Sequence, residues 1–318
     1  MAKKNRRKSV TQQIMTEAVK ELNKHQHDLT RQQYVRDFKR FVVYCRQLHN
    51  VRNLGECKKY IQEYADYLSD EKSSLSASTV HTYLASICSV YNVSLSGYKK
   101  PIRHCSEYIR GRKTMVYPEA RQDFSRKENQ RLYLFQRAVG IRRNELRNLR
   151  SNDFCLDESS KFCVKIRQGK GGKFQLQRIF DEDVELVKSY FDGSDERVFT
   201  KKEMDNQLNL HALRAECARN YYFDLLRKVQ ENPSFRDELE KEVRLRWELY
   251  NKDKKTGKPK PFDEKLITGE YVFKGKNRIL AIRKGRPVRM DKLCLLATSM
   301  MKLSHYRLSV AAVSYMLA

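Results

Sequence analysis

The sequence has no stretch approaching about 18 consecutive apolar residues, so nothing in it reads as a bilayer-spanning helix. Its N-terminus, MAKKNRRKSV, is basic but lacks the apolar run of a secretory signal. None of the eight cysteines, at positions 45, 57, 88, 105, 155, 163, 217 and 294, forms a Cys-x-x-Cys pair. That removes the signature of a zinc ribbon or a thioredoxin-like site, and in a lysine-rich chain the cysteines read as reduced thiols of a cytosolic protein. No internal repeat recurs at a fixed spacing, which excludes a solenoid. Acidic residues are few beside basic ones: 39 Asp and Glu against 65 Lys and Arg in 318 residues, a net charge of +26. An excess of that size implies a polyanionic partner. With no spanning segment, nucleic acid is preferred to a membrane.

What is present reads first as helix. After Thr30, a suitable N-cap, Val35, Phe38, Val42 and Cys45 recur at helical spacing. Ile61, Tyr64 and Leu68 make a second stripe; Val80, Tyr83, Leu84, Ile87, Val90 and Tyr91 make a third, opened by SSLSAST. Residues 9–110 are therefore expected to form a bundle of about four helices with basic outer faces. Residues 1–8, five of them basic, read as a solvated tail, with a DNA-contacting arm as the alternative. The stretch SGYKKPIRHCSEYIRGRKT (96–114) combines Gly, Pro and charge and marks a domain boundary, so the second domain is set at 111–318.

In the second domain SRKENQRLYLFQRAVGIRRNELRNL predicts helix interrupted at Gly140. In KFCVKIRQGKGGKFQLQRIF the period changes. Phe162, Val164 and Ile166 alternate, a Gly-rich turn follows, and Phe174 and Leu176 alternate again, predicting a β-hairpin or part of a small sheet. NLHALRAECARNYYFDLLRK returns to helix. Residues 224–290 then hold a helix opened by Asn232-Pro233, a flexible basic loop NKDKKTGKPKP, and EYVFKGKNRILAIRKGRPVR, read as another hairpin. The expected fold class is mainly α with a small β-sheet or hairpin.

Six residues of the second domain could together act on a phosphodiester: Arg142 in GIRRNEL, Lys170 in QGKGGK, His211 and Arg214 in HALR, His305 in KLSH, and Tyr315 ten residues on. A tyrosine hydroxyl becomes a nucleophile when its proton is removed or its oxyanion is stabilised. Two guanidiniums can hold the non-bridging oxygens in bidentate fashion, a lysine can protonate the leaving oxygen, and histidines can bind phosphate or relay a proton. Taken singly, each has a plainer reading: an intrahelical Arg142–Glu145 ion pair, a surface Lys170, a core or cap His211 beside a surface Arg214, a helix-terminal His305, and a packing Tyr315.

Taken in order, they resemble the tyrosine recombinases, the phage and mobile-element integrase family. GIRRNEL is similar to the family's Gly-Leu-Arg-x-x-Glu-Leu box, GKGGK to the hairpin that carries its lysine, HALR to His-x-Leu-Arg, and LSHYRLSVAAVSY to the closing Leu-Gly-His…Tyr box. SASTVHTYLASICSVY looks like the last long helix of the family's core-binding domain. The resemblance implies an N-terminal helical core-binding domain and a C-terminal α+β catalytic domain closing around duplex DNA. It implies Tyr315 as the nucleophile giving a 3′-phosphotyrosyl link, with Arg142, Arg214, His211 and His305 stabilising the transition state, His211 as base and Lys170 as acid. Strand exchange would run through a Holliday junction in a homo-tetramer on DNA attachment sites. No metal, ATP or other cofactor is implied; an excision or accessory factor is a further expected partner, and the setting would be the cytoplasm and nucleoid of a prokaryotic host.

The sequence departs from the family's pattern at Ala215, where many relatives have histidine, and at Ser304, where they have glycine. Residues 224–290 form a long insertion, read either as a contact to DNA or a neighbouring protomer or as a peripheral decoration. Relatives commonly continue past the tyrosine into a docking tail, whereas this sequence stops at Ala318, which implies truncation or assembly through another surface. Two other readings stay open: a type IB topoisomerase, and a DNA-binding accessory protein without catalysis.

Overall fold

The computed structural model describes residues 8–23, 28–70, 73, 75–103, 125–170, 172–253 and 256–318. The basic tail except Lys8, residues 104–114 of the expected boundary, Gly171 of the Gly-rich turn and positions 254–255 of the basic loop lie outside the described residues. The chain divides into two compact units, Met1–His104 and Cys105–Ala318.

The first unit holds helices α1 (Val10–Asn23), α2 (Asp28–His49), α3 (Leu54–Cys57), α4 (Ile61–Ser69) and α5 (Ala77–Tyr91). The apolar stripes close on one core: Ile14 and Leu22 from α1, Phe38 and Val42 from α2, Ile61 and Leu68 from α4, and Leu84 and Ile87 from α5. Fully burying a side chain of this size contributes about 1.5–3 kcal/mol. Ser76 caps α5, its Oγ accepting from Thr79 N at 3.2 Å. Thr30 does not cap α2: the helix already includes Asp28, so Thr30 stands inside the first turn.

In the second unit α6 (Gln130–Val139) ends at Gly140, whose φ of +69° is left-handed and whose N donates to Gln136 O at 2.9 Å. A Cβ at Gly140 would also lie 2.9 Å from Cys217 Cβ and Sγ. Helix α7 (Arg143–Asn148) follows at once. The predicted hairpin is two strands of a three-stranded antiparallel sheet: β1 (Phe154–Leu156), β2 (Phe162–Gly169) and β3 (Lys173–Arg178), in the order β1-β2-β3.

Alternation holds for Val164 and Ile166, but on β3 the buried face carries Gln175 and Gln177, while Phe174 is 47% exposed. The reason is polar. Gln177 Nε2 reaches the carbonyls of Val139 at 2.7 Å, Gly140 at 3.1 Å and Lys302 at 2.6 Å, so a buried amide joins three chain segments where a hydrophobe was expected.

Helices α8 (Val184–Lys188), α9 (Lys201–Met204), α10 (Leu210–Glu231) and α11 (Pro233–Tyr250) follow. Asn232 caps α11, with Pro233 as its first residue. The loop expected to be flexible is a closed turn in its described part: Lys252 bridges Pro259, and Lys260 N donates to Asn251 O at 2.9 Å. The second predicted hairpin is absent. Strands β4 (Glu270–Val272) and β5 (Arg289–Asp291) do pair antiparallel, but α12 (Gly275–Arg283) lies between them, with Ile279 and Ile282 on its exposed side. The β-branched residues that suggested a strand are surface residues of a helix. Helices α13 (Lys292–Met301) and α14 (Leu308–Ala311) close the chain, α14 running into a π-helical turn, Ala312–Met316.

Leu239, Val243 and Trp247 of α11, with Ile267, Phe273 and Ala281, share one core with residues of α10 and α13. Residues 224–290 are thus built into the unit, which overturns the reading of a peripheral decoration. Buried ion pairs join α11 to the segment around the sheet. Arg246 meets Asp157 at 2.9 Å and Glu158 at 2.6 Å, and Arg178 meets Asp157 at 2.8 Å and Glu242 at 2.6 Å. Among the described residues no helix is long and apolar enough to cross a membrane.

Candidate active site

The stop of α6 at Gly140 places Arg142 at the start of α7 in extended geometry, φ −78° and ψ 152°. Its backbone N donates to Glu145 Oε2 at 2.8 Å, its Nη1 to Glu145 Oε1 at 2.5 Å, and its Nη2 to Leu303 O at 3.2 Å. Arg214, near the start of α10, is only 1% exposed. Its Nη1 donates to Gly140 O at 2.6 Å and its Nη2 to the same Leu303 carbonyl at 3.0 Å, with Glu145 Oε2 at 3.8 Å. One carbonyl and one carboxylate therefore gather both guanidiniums. Burial pushes the Glu145 carboxyl up, but Arg214 and Arg142 outweigh it and hold the group below the usual carboxylate range. Two guanidiniums against one carboxylate leave a positive excess.

His305 follows Leu303 after Ser304, a residue in left-handed backbone at φ +53°. Ser299 Oγ donates to His305 O at 2.6 Å and lies 2.8 Å from His305 Nδ1. A hydroxyl has one proton, so the second contact runs from Nδ1–H to Oγ. Burial, then Arg214 and Arg142, push the imidazole down to about 3. The ring is neutral, and its buried Nε2, which has no hydrogen-bond partner, carries a free lone pair.

Tyr315 stands in the π-helical turn and is 7% exposed. Such turns inside helices recur at functional sites. The ring centroids of His211 and His305 lie 5.6 Å and 5.9 Å from that of Tyr315, and Arg214 Cζ lies 5.7 Å from it. Burial lowers the pKa of Arg214. His211, at the start of α10, is exposed and opens this group to solvent. Arg219 Nη1 donates to Tyr315 O at 3.0 Å, and Lys284 Nζ donates to Leu317 O at 2.8 Å.

Five of the six predicted residues thus come together: Arg142, His211, Arg214, His305 and Tyr315. Lys170 does not join them. It is exposed at the turn between β2 and β3, and among the described residues it makes no hydrogen bond, ion pair or ring contact with the other five. Lys173, three residues on, is close enough to contribute to the lowered pKa of His305.

Sequence reasoning missed several supporting groups. Glu145 gave a signal, lying three residues after Arg142, but read as a surface partner. Ser299 and Gln177 gave none. Lys302 is 1% exposed, with Nζ donating to Ala138 O at 3.1 Å and lying 4.2 Å from the Phe180 ring centroid. A lysine in a Lys-Leu-Ser-His run looks like surface until the fold buries it. Among the described residues no group of three or more His, Cys, Asp or Glu could hold a metal ion.

The arrangement offers a phenol, a neutral imidazole with a free lone pair, and a positively charged floor. No family model matches the chain, and no curated protein matches it. Among solved structures it is similar to the crystal structure of XerA recombinase, at 18% identity over 66% of this chain and 84% of that one, with a TM-score of 0.24. A likeness of that size is too slight to show a shared fold.

Proposed function

We propose that the protein is a tyrosine-type DNA strand transferase, a site-specific recombinase that cleaves and rejoins duplex DNA through a 3′-phosphotyrosyl intermediate. The observation that carries this reading is the gathering of His211, Arg214 and His305 around the ring of Tyr315, with Arg142 held on the same Leu303 carbonyl as Arg214. A phosphate entering there meets both guanidiniums, whose remaining N–H groups bind the non-bridging oxygens as charge builds in the transition state. Tyr315 Oη attacks phosphorus, and the bond to the 5′-oxygen breaks. His211, exposed beside Tyr315, takes the phenolic proton. His305 Nε2 is an acceptor in the free site; taking up a proton as the anion arrives makes it a donor to phosphate. Lys170, outside the cluster in the free protein, is the acid for the leaving oxygen once DNA binding draws the β2–β3 turn onto the site. The reverse reaction, with a 5′-hydroxyl of a partner strand, restores the phosphodiester without external energy. Duplex DNA is the partner, in a homo-tetramer, and the role is the integration or excision of a mobile element in a prokaryotic cytoplasm.

A nicked, labelled duplex from beside the gene, mixed with the protein in chelator, should give a covalent adduct on a denaturing gel. Tyr315→Phe should abolish the adduct while leaving native binding to the duplex within about twofold. Tight binding with no adduct from the unmodified protein would leave a DNA-binding protein without catalysis.

A further inference from the structure

The segment 224–290 builds a second concave surface next to the cluster. Between the end of α11, the β2–β3 hairpin and residues 304–306 lies a cleft of about 650 Å³. Lys173, Lys252 and Lys260 line it, with Asp253 as its one carboxylate, and residues 251–290 as a whole carry 13 Lys and Arg against 4 Asp and Glu. Phe174 and Tyr250 form an aromatic wall, their rings 6.3 Å apart at 33°, and Phe174 keeps nearly half its surface open to solvent. Gln175 and Ser304 also line it, with the Gln175 amide nitrogen and the Ser304 hydroxyl themselves buried behind its surface. Gln175 is 7% exposed.

An open aromatic face takes a flat π-system, and clustered lysines take a phosphate. A nucleotide joins these two features in one molecule. We infer that the cleft takes one unstacked nucleotide of the DNA beside the cleavage point, its base on Phe174 and its phosphate among Lys173, Lys252 and Lys260. Ser304, in the cleft wall, is bonded directly to His305, so the bound nucleotide neighbours the phosphate presented to Tyr315. A protein segment could also cover an aromatic wall, but the ratio of lysine to acid favours the polyanion. The inference rests on DNA being the substrate, as proposed above.

The test uses the full chain and two labelled probes: a thymidine hexamer, and a hexamer of abasic tetrahydrofuran nucleotides with the same phosphates. The thymidine probe should bind roughly tenfold tighter, as stacking of one base predicts. Phe174→Ala, at an exposed position, should remove that difference and leave abasic binding unchanged. Lys260→Gln should weaken both probes alike and lower the salt dependence. Equal affinity for the two probes, or a difference that survives Phe174→Ala, overturns the inference. So does self-association of the chain without DNA that depends on Phe174, since a second copy would then occupy the cleft. The Tyr315 adduct is read separately. An adduct with no base preference sinks the cleft alone, whereas a Phe174-dependent base preference with no adduct sinks the recombinase reading and upholds the cleft.

Discussion

His305 is neutral because burial and the fields of Arg214 and Arg142 push its pKa down to about 3, and this has a consequence for stability. An unfolded histidine titrates near 6.5, so between about 6.5 and 3 the unfolded chain binds a proton that the folded chain does not. This contribution to stability is complete above about pH 6.5 and is lost as pH falls. His305→Gln should remove it. On urea titration the unmodified protein should lose about 2 kcal/mol more than the variant between pH 7 and pH 5; equal losses would show that His305 is not held neutral. Gly140 is the other residue on which the site's geometry depends. Gly140→Ala meets both a left-handed φ and the Cys217 side chain, and should destabilise the fold by about 2 kcal/mol, read as a lowered urea midpoint. The role of Gly140 as a helix stop was legible in the sequence. Its second constraint was not, because Cys217 is 77 residues away in the chain.

Among the elements, the segment that carries Tyr315 is fastened from two sides. Arg219 of α10 holds the Tyr315 carbonyl, and Lys284, just after α12, holds the Leu317 carbonyl. Residues 224–290 therefore help to aim the phenol as well as completing the core. Lys284→Met keeps most of the side-chain volume and removes the tie. It should slow adduct formation by on the order of tenfold to a hundredfold while duplex affinity changes little, a split that a general loss of folding would not give. Helices were the legible part of this fold, because a stripe at 3.6-residue spacing needs only local sequence. Stripes on α2, α4 and α5 all turned inward as read. What stayed hidden depends on distant partners: β1, which is three residues long and defined by its pairing to β2; Gln177, buried by three carbonyls; and α12, whose exposed isoleucines resemble a strand. The candidate site was legible as a set of residue types in order. Its assembly on the Leu303 carbonyl and Glu145 could not be read without the fold.

For the whole molecule, the basic excess is shared by both units. Residues 1–104 carry 19 Lys and Arg against 9 Asp and Glu, and residues 105–318 carry 46 against 30. Each unit has its own hydrophobic core, so each is expected to hold its charged surface independently of the other. If both units touch DNA, each contributes its own set of neutralised phosphates, and the counterions released on binding add. The slope of log affinity against log salt for the full chain should then approach the sum of the slopes of two fragments expressed separately, residues 1–104 and 105–318. Six to ten phosphate contacts in all would weaken binding by about 10³ to 10⁵ between 50 and 200 mM salt. A full-chain slope no steeper than that of the larger fragment would mean that the helical unit does not contact the backbone. Its charge would then have to serve another polyanion, and the second unit would bind the DNA alone.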